Sequence, residues 1–308
     1  MLQQSKDNTG IAGLDDILQG GLPHGHLYLV EGSPGTGKTT LALGFVLAGM
    51  AAGETTLYVT LSETAGELRL VAESHGWNLE GLEIVELEHD VAHHSAASQY
   101  TVFESTEVEL GDTMKTIFDA ANRLRPSRVV IDSLSELRLL ARDSLRFRRE
   151  LLGLKRFFAD MDASVLILDD LTQEAHEGLI QSIAHGVVRL ERLTTEYGTE
   201  RRRVIIPKMR GARYREGYHD YRIHPGGLRV FPRLVAAEHR QAVLPGQLLS
   251  GVGNLDDLLG GGLDRGTSTI LMGPSGVGKS TIGMVYAVAA ASKGERVEVL
   301  LFDENLGT

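Results

Sequence analysis

The sequence predicts an α/β protein: a mostly parallel central sheet with helices on both faces, a β-hairpin region at the C-terminal side, and then the start of a second copy of the same unit. Three observations predict it. Strand-length apolar runs alternate with helix-length ones, a glycine-rich loop sits between one such strand and one such helix, and the chain matches itself at a constant, gap-free offset.

LYLVE, residues 27–31, is a short apolar strand ending in the glycine-rich turn. The following TTLALGFVLAGMAA, residues 39–52, is apolar nearly all round, as expected of a helix buried against a sheet. Further strands are predicted over 55–61, 82–87, 128–132 and 164–169, with one helix over 138–160 between the last two. Strand, helix, strand alternation implies parallel pairing with helices covering both faces. GVVRLERL, a turn at Tyr197 and Gly198, and RRRVIIPKM then read as a β-hairpin. The first domain is expected to span 1–234 and close near GGLRVFPRL; 235–249, with Pro245 and Gly246, reads as a linker, and 250–308 as the second copy.

The repeat carries this organisation. TGIAGLDDILQGGLPHG, from Thr9, matches SGVGNLDDLLGGGLDRG, from Ser250, and the same offset pairs Gly32 with Gly273 and Glu63 with Glu304. The second copy stops at Thr308 and lacks a counterpart to everything between Glu63 and about Phe231. It is expected to be either the start of a complete domain in a longer protein or a vestige, and in both cases its apolar elements need a partner surface.

Composition sets limits. At 308 residues the chain exceeds the size at which a single core keeps growing, so more than one domain is expected. A formal net charge of -10 argues against a protein built to hold a polyanion. With no cysteine, disulfides, thiolate zinc sites and cysteine nucleophiles are excluded. No apolar run reaches the roughly 18 residues that span a bilayer, and the start MLQQSKDNTG lacks the apolar core of a secretion signal. A soluble, cytoplasmic protein without membrane contact is expected.

GSPGTGKT, residues 32–39, fits the phosphate-binding loop pattern in the strand-to-helix setting that gives it physical meaning. Its glycines let backbone N–H groups turn toward phosphate oxygens, and the helix N-terminus adds positive potential. The ligand set is Gly32, Ser33, Pro34, Gly35, Thr36, Gly37, Lys38, Thr39 and Thr40, with Lys38 on the β- and γ-phosphates of ATP and Thr39 on Mg²⁺. GPSGVGKS repeats it through Gly273, Gly276, Gly278, Lys279 and Ser280, the last again a metal ligand. Asp132, closing the strand RVVID, is positioned to hold the metal's water shell. Hydrolysis also needs a group to orient or deprotonate water, and Glu63 in VTLSET lies just past a strand where a carboxylate could do this.

The LDD…GGL…G lead-in, the loop, VTLSET, the SHGW segment from Ser74, VVIDS and RRRVIIPKMRG together resemble the KaiC-type ATPases, a RecA-like P-loop family. The resemblance runs through nearly the whole chain. It implies a RecA-like fold, Mg²⁺-dependent ATP hydrolysis, and assembly into a ring, with six subunits expected, in which ATP lies between neighbours. It also implies that Lys208 and Arg210 of PKMRG reach the neighbouring subunit's γ-phosphate, where a cation stabilises transition-state charge. In that family two adjacent glutamates follow the second strand. Here the matching pair is Ser62 and Glu63, which puts the hydrolysis rate in question but not ATP binding; the second copy has Asp303 and Glu304.

Other features carry less. Arg138, Arg142, Arg146 and Arg149 form a basic stripe at helical spacing, read as a solvated or subunit-facing surface, and Arg201 to Arg203 read as edge charges on a strand. His93 and His94 lack carboxylates at metal-ligand spacing. The leading function is therefore a ring ATPase with a signalling or regulatory output. The alternatives are a nucleotide-gated scaffold, prompted by Ser62, an autophosphorylating kinase, whose expected region is not in the chain, and a DNA-dependent recombinase or helicase. The last is opposed by DDLTQEAHEGLIQSIAHG, which holds four carboxylates and no Lys or Arg where a strand-binding loop would need cations, so nucleic acid is not expected as a partner.

Overall fold

The computed structural model describes residues 5–87, 105–141, 143–170, 177–194, 197–235 and 245–302. The chain divides into two units, Met1–Arg233 and Leu234–Thr308. In the first, β1 (Lys6–Asp7), α1 (Leu14–Ile17) and β2 (Leu22–Pro23) lead into β3 (Leu27–Gly32) and α2 (Lys38–Ala51). There follow β4 (Thr56–Thr60), α3 (Ala65–Ser74), β5 (Glu83–Glu86), α4 (Ser105–Leu124), β6 (Arg128–Asp132), α5 (Leu134–Ala141), α6 (Ser144–Asp160), β7 (Ser164–Asp170) and α7 (Glu177–Ile183). Four strands close the unit: β8 (Gly186–Leu193), β9 (Arg201–Met209), β10 (His219–His224) and β11 (Gly227–Phe231).

One nine-stranded sheet runs β11-β10-β9-β8-β3-β7-β6-β4-β5. Every ladder from β8 to β5 is parallel, and those of β8 with β9, β9 with β10 and β10 with β11 are antiparallel. This is the predicted α/β architecture. Its central strands are apolar without alternation because both faces are covered. Along β3, Tyr28 and Val30 pack with Phe45 and Val46 of α2, while Leu27 and Leu29 pack with Ile117 of α4 and Leu151, Leu154 and Phe158 of α6.

The helix predicted over 138–160 is two helices. Asp143 takes an extended conformation between them, and its carboxylate accepts hydrogen bonds from the N–H groups of Leu145 and Arg146, both at 3.2 Å. An Asp that satisfies the free donors of a new helix start outcompetes continuation of the old one. The basic stripe is divided accordingly: Arg138 on α5 binds Asp169 at 2.7 Å, Arg146 and Arg149 lie on α6, and Arg142 lies outside the described residues, as do His93 and His94.

The second unit holds β12 (Gln247–Leu248), α8 (Gly253–Leu258), β13 (Leu263–Asp264) and α9 (Lys279–Ser292). The repeat extends to single hydrogen bonds: Thr9 N–H donates to Asp15 at 2.8 Å, and Ser250 N–H donates to the equivalent Asp256 at 2.8 Å. The sheet does not recur among the described residues. Ile270, Leu300 and Phe302 are 81%, 78% and 90% exposed, whereas their counterparts Leu29, Val59 and Leu61 are 1%, 0% and 8% exposed. A helix closes its hydrogen bonds internally, but a strand needs a neighbouring strand.

Arg128 ties the first unit together. Only 2% exposed, it binds Glu54 at 2.5 Å through Nε, donates to the carbonyls of Asn8 at 2.7 Å and Phe45 at 3.0 Å, and lies 4.8 Å from the Phe45 ring centroid. A Cβ on Gly49 would sit 2.7 Å from its Cδ, so α2 needs a glycine there. Removing one partner of a buried, multiply bonded charge costs about 3–5 kcal/mol. Arg128→Ala is therefore expected to lower the urea unfolding midpoint of the full chain by a corresponding amount; an unchanged midpoint would refute this role.

Candidate functional site

The loop between β3 and α2 is shaped by its glycines. Gly35 and Gly37 have φ of +77° and +93°, in the left-handed region that glycine enters without strain, and a Cβ on Gly32 would sit 2.6 Å from the carbonyl oxygen of Leu190. Thr36 is fully buried, and its hydroxyl donates to Ser33 O at 2.8 Å. From β10 the Tyr221 hydroxyl donates to Thr36 O at 2.7 Å, so the antiparallel extension of the sheet clasps the loop. Gly37 caps α2 with no side-chain hydrogen bond, and the first turn carries no acidic residue. The amide groups of this helix start therefore face no competing carboxylate from their own turn, the condition an anion site requires.

Lys38 places its ammonium 2.8 Å from Gly32 O, 3.3 Å from Ser33 O and 2.6 Å from Asp170 Oδ1. Thr39 donates from Oγ1 to Asp132 Oδ2 at 3.3 Å, and Tyr58 OH donates to the same oxygen at 2.7 Å. Burial raises the Asp132 pKa above 3.8, against the lowering effect of the Tyr58 and Thr39 hydrogen bonds and the Lys38 charge. Thr40 is turned elsewhere, its hydroxyl 3.4 Å from His75 Nε2.

Glu63 follows β4 in a turn pinned by Thr60, whose hydroxyl donates to Glu63 O at 2.6 Å and lies 3.1 Å from Glu63 N. Thr64 and Glu67 close a capping box that starts α3 next to it. Glu63 Oε2 is buried without a hydrogen-bond partner. Its pKa is raised above 4.5, first by burial and then by the charges of Asp132 and Glu67, with Lys38 opposing. Ser62, beside it, is exposed.

Lys208 and Arg210 are elsewhere. Lys208 donates to the carbonyls of Gln181 and, at 2.7 Å, Ala184, and Arg210 donates to Ser182 O at 2.9 Å, so both cations cap the C-terminal end of α7. Burial, then the charges of Arg210 and Lys155, lowers the Lys208 pKa below 10.5. Gly32 pairs with Leu190, whereas Lys208 pairs with Val187, which lies beside Leu29. The Lys208 row is thus three residues back along β3, roughly 10 Å from the loop end of the sheet, and Arg210 lies beyond it.

In the second unit Gly276 and Gly278 repeat the positive φ values, and Lys279 repeats the carbonyl contacts, at 2.8 Å from Gly273 O and 2.6 Å from Pro274 O. Ser280 follows it at the start of α9; Asp303 and Glu304 lie outside the described residues. Sequence reasoning named neither Tyr58 nor Asp170 as site residues. Tyr58 is marked only by the strand that carries it, and Asp170 stands one residue past the strand predicted over 164–169, within the acidic segment.

This loop on a parallel sheet with an antiparallel extension defines a RecA-type P-loop protein. The family described as "ATPase: KaiC" matches residues 8–235 and 248–306, and the chain belongs to that KaiC ATPase family. It is 29% identical over 301 residues to the circadian clock protein KaiC2 of Synechocystis, an alignment covering 96% of this chain and 52% of that protein. It is 32% identical over 248 residues to the UPF0273 protein MK0039 of Methanopyrus kandleri, covering 77% of this chain and 96% of that one. The crystal structure of the KaiC-like protein PH0186 from Pyrococcus horikoshii superposes with a TM-score of 0.62 at 27% identity, over 74% of this chain and all of that one. The chain spans about half the length of the clock proteins it matches. Among the described residues no helix is long and apolar enough to cross a membrane.

The raised Asp132 pKa gives a stability prediction. A carboxyl whose folded pKa exceeds its unfolded value binds protons more tightly when folded, so it stabilises at low pH, and that stability is lost as pH rises through the folded pKa. Nucleotide-free Asp132→Asn, kept in a chelator, is therefore expected to melt a few degrees above the unsubstituted protein at pH 7. The gap should close below pH 3.8, the ordinary value. A variant that melts lower at pH 7 would show the Tyr58 and Thr39 bonds to outweigh the burial cost.

Proposed function

We propose that the chain binds ATP at residues 32–39 and hydrolyses it as a subunit of a KaiC-like ring, six-membered by family resemblance, with a cytoplasmic regulatory role. The observation that carries this reading is the meeting of Lys38, Thr39, Asp132 and Glu63 at one edge of the sheet, with Thr39 and Asp132 joined at 3.3 Å. The loop amides and Lys38 bind the phosphates. The donor set fits magnesium: a hydroxyl beside a carboxylate, both hard oxygen ligands. Thr39 and Asp132 would hold it, and Ser280 would do so in the second unit; when bound, the metal neutralises charge on the phosphate oxygens.

Glu63 is the general base. Its unpartnered, buried Oε2 can accept a proton from water, and a pKa raised above 4.5 brings it closer to neutral pH, where a base works best. Lys208 and Arg210 supply charge to the γ-phosphate of a neighbouring subunit, since their place in the ladder separates them from their own loop. Ser62, exposed beside Glu63, favours one variant of the reading, a slow site that acts as a nucleotide-gated scaffold.

Lys38→Ala should abolish magnesium-dependent ADP release, and Glu63→Gln should lower kcat by about 10²–10⁴ while leaving nucleotide uptake in place. Because Glu63 acts unprotonated, turnover should fall as pH drops through a value above 4.5. Mixing Lys38→Ala with Arg210→Ala subunits should restore part of the activity, and light scattering with and without Mg-ATP reads assembly in the same samples. Normal turnover in Lys38→Ala would refute the ATPase reading. A brisk unsubstituted enzyme that Ser62→Glu does not accelerate would remove the scaffold variant.

A further inference from the structure

An ammonium has three N–H donors. Those of Lys38 meet Gly32 O, Ser33 O and Asp170 Oδ1, the last at the shortest distance, 2.6 Å. The two carbonyls hold the lysine against its own loop. The remaining donor is the one a phosphate oxygen would take, and a carboxylate occupies it.

Asp170 is delivered there by the sheet, as the last residue of β7 and the ladder partner of Gly32. Its side chain is 31% exposed and that of Lys38 10%, so the carboxylate is the more solvent-accessible member of the pair. The adjacent Asp169 already engages Arg138 at 2.7 Å. Asp132 and Glu63 add negative charge around the same lysine. Carboxylate and phosphate are both acceptor-only anions, and one ammonium cannot give the same donor to both.

We propose that Asp170 is an internal competitor of nucleotide: it holds Lys38 in the nucleotide-free chain, must yield that donor to phosphate, and then stands beside the phosphates as a like charge. This rests on the ATP-binding reading above and adds the residue that sets affinity at that site. The triphosphate brings more negative charge than the diphosphate, so Asp170 weakens ATP more than ADP.

The test uses the full chain, with a non-hydrolysable ATP analogue and with ADP, both as their magnesium complexes, by calorimetry on the unsubstituted protein, Asp170→Asn and Asp170→Ser. Melting without nucleotide is measured alongside. Both variants should bind the analogue about tenfold more tightly, equivalent to ~1.4 kcal/mol, with a smaller gain for ADP. The melting temperature without nucleotide should fall, because Lys38 loses its counter-charge. Equal or weaker binding of the analogue by a folded variant overturns the proposal, and Asp170→Ser serves if Asp170→Asn fails to fold. Uptake by the unsubstituted protein without gain in the variants removes this inference alone; no uptake by any of the three removes the ATP-binding reading with it.

Discussion

The ammonium of Lys38 opposes a group of carboxylates that would otherwise repel one another. Asp170 touches it at 2.6 Å, and the charge of Lys38 opposes the burial that raises the pKa values of Asp132 and Glu63. The strand order brings them together. β3, β7, β6 and β4 are consecutive in the sheet, and at their C-terminal ends stand the loop with Lys38, Asp170, Asp132 and, just past β4, Glu63. Parallel pairing aligns these ends on one edge, where a crossover sheet gathers residues far apart in the chain. Burial then makes each charge costly unless a cation or a ligand answers it.

The duplicated segment separates what local sequence encodes from what the sheet supplies. Both copies form the antiparallel strand pair, the aspartate-bonded turn, the glycine loop and the helix after it. These close their hydrogen bonds within about twenty residues and so need little else. The apolar runs around Ile270 and Leu300 have the composition of Leu29 and Val59 but no ladder among the described residues. Lys279 keeps the carbonyl contacts of Lys38, while the partners that β6 and β7 provide in the first unit belong to segments with no repeat in the chain.

Legibility followed the same division. β3 and β6 can be read nearly to the residue because strands buried on both faces are apolar runs with polar ends, and β8 and β9 because a glycine turn separates two strand-like runs. The helix α4 is not among the predicted elements although Leu110, Met114, Ile117 and Ala121 recur at helical spacing; its many polar residues hide a face that only tertiary packing reveals. Asp143 before Ser144 is a helix-start signal inside an apparent helix, masked by charged residues whose regular spacing implies continuity. In the site, Lys38, Thr39, Asp132 and Glu63 were marked by strand ends and glycines. In the sequence Asp170 reads as one of four carboxylates in an acidic segment, because its meaning depends on β7 lying beside β3, which no local pattern records.

The position of Lys208 and Arg210 follows from the same rigidity. β8 is held to β3 by a parallel ladder and to β9 by an antiparallel one, so Lys208 is fixed beside Val187 and cannot slide toward Gly32 without breaking one ladder or the other. Their cations rest on the last carbonyls of α7, and that helix meets the loop strand as well: Gln181 Nε2 donates to Glu31 at 3.1 Å, one residue before Gly32. Glu31 is itself buried and bound by Arg189 at 2.6 Å. The helix on which the cationic pair rests is thus anchored to the start of the loop, yet the pair lies on the last carbonyls of that helix, away from the loop's phosphate edge. A sheet built this way cannot complete its own site with Lys208 and Arg210. If the pair meets a γ-phosphate, that phosphate belongs to another copy of the chain.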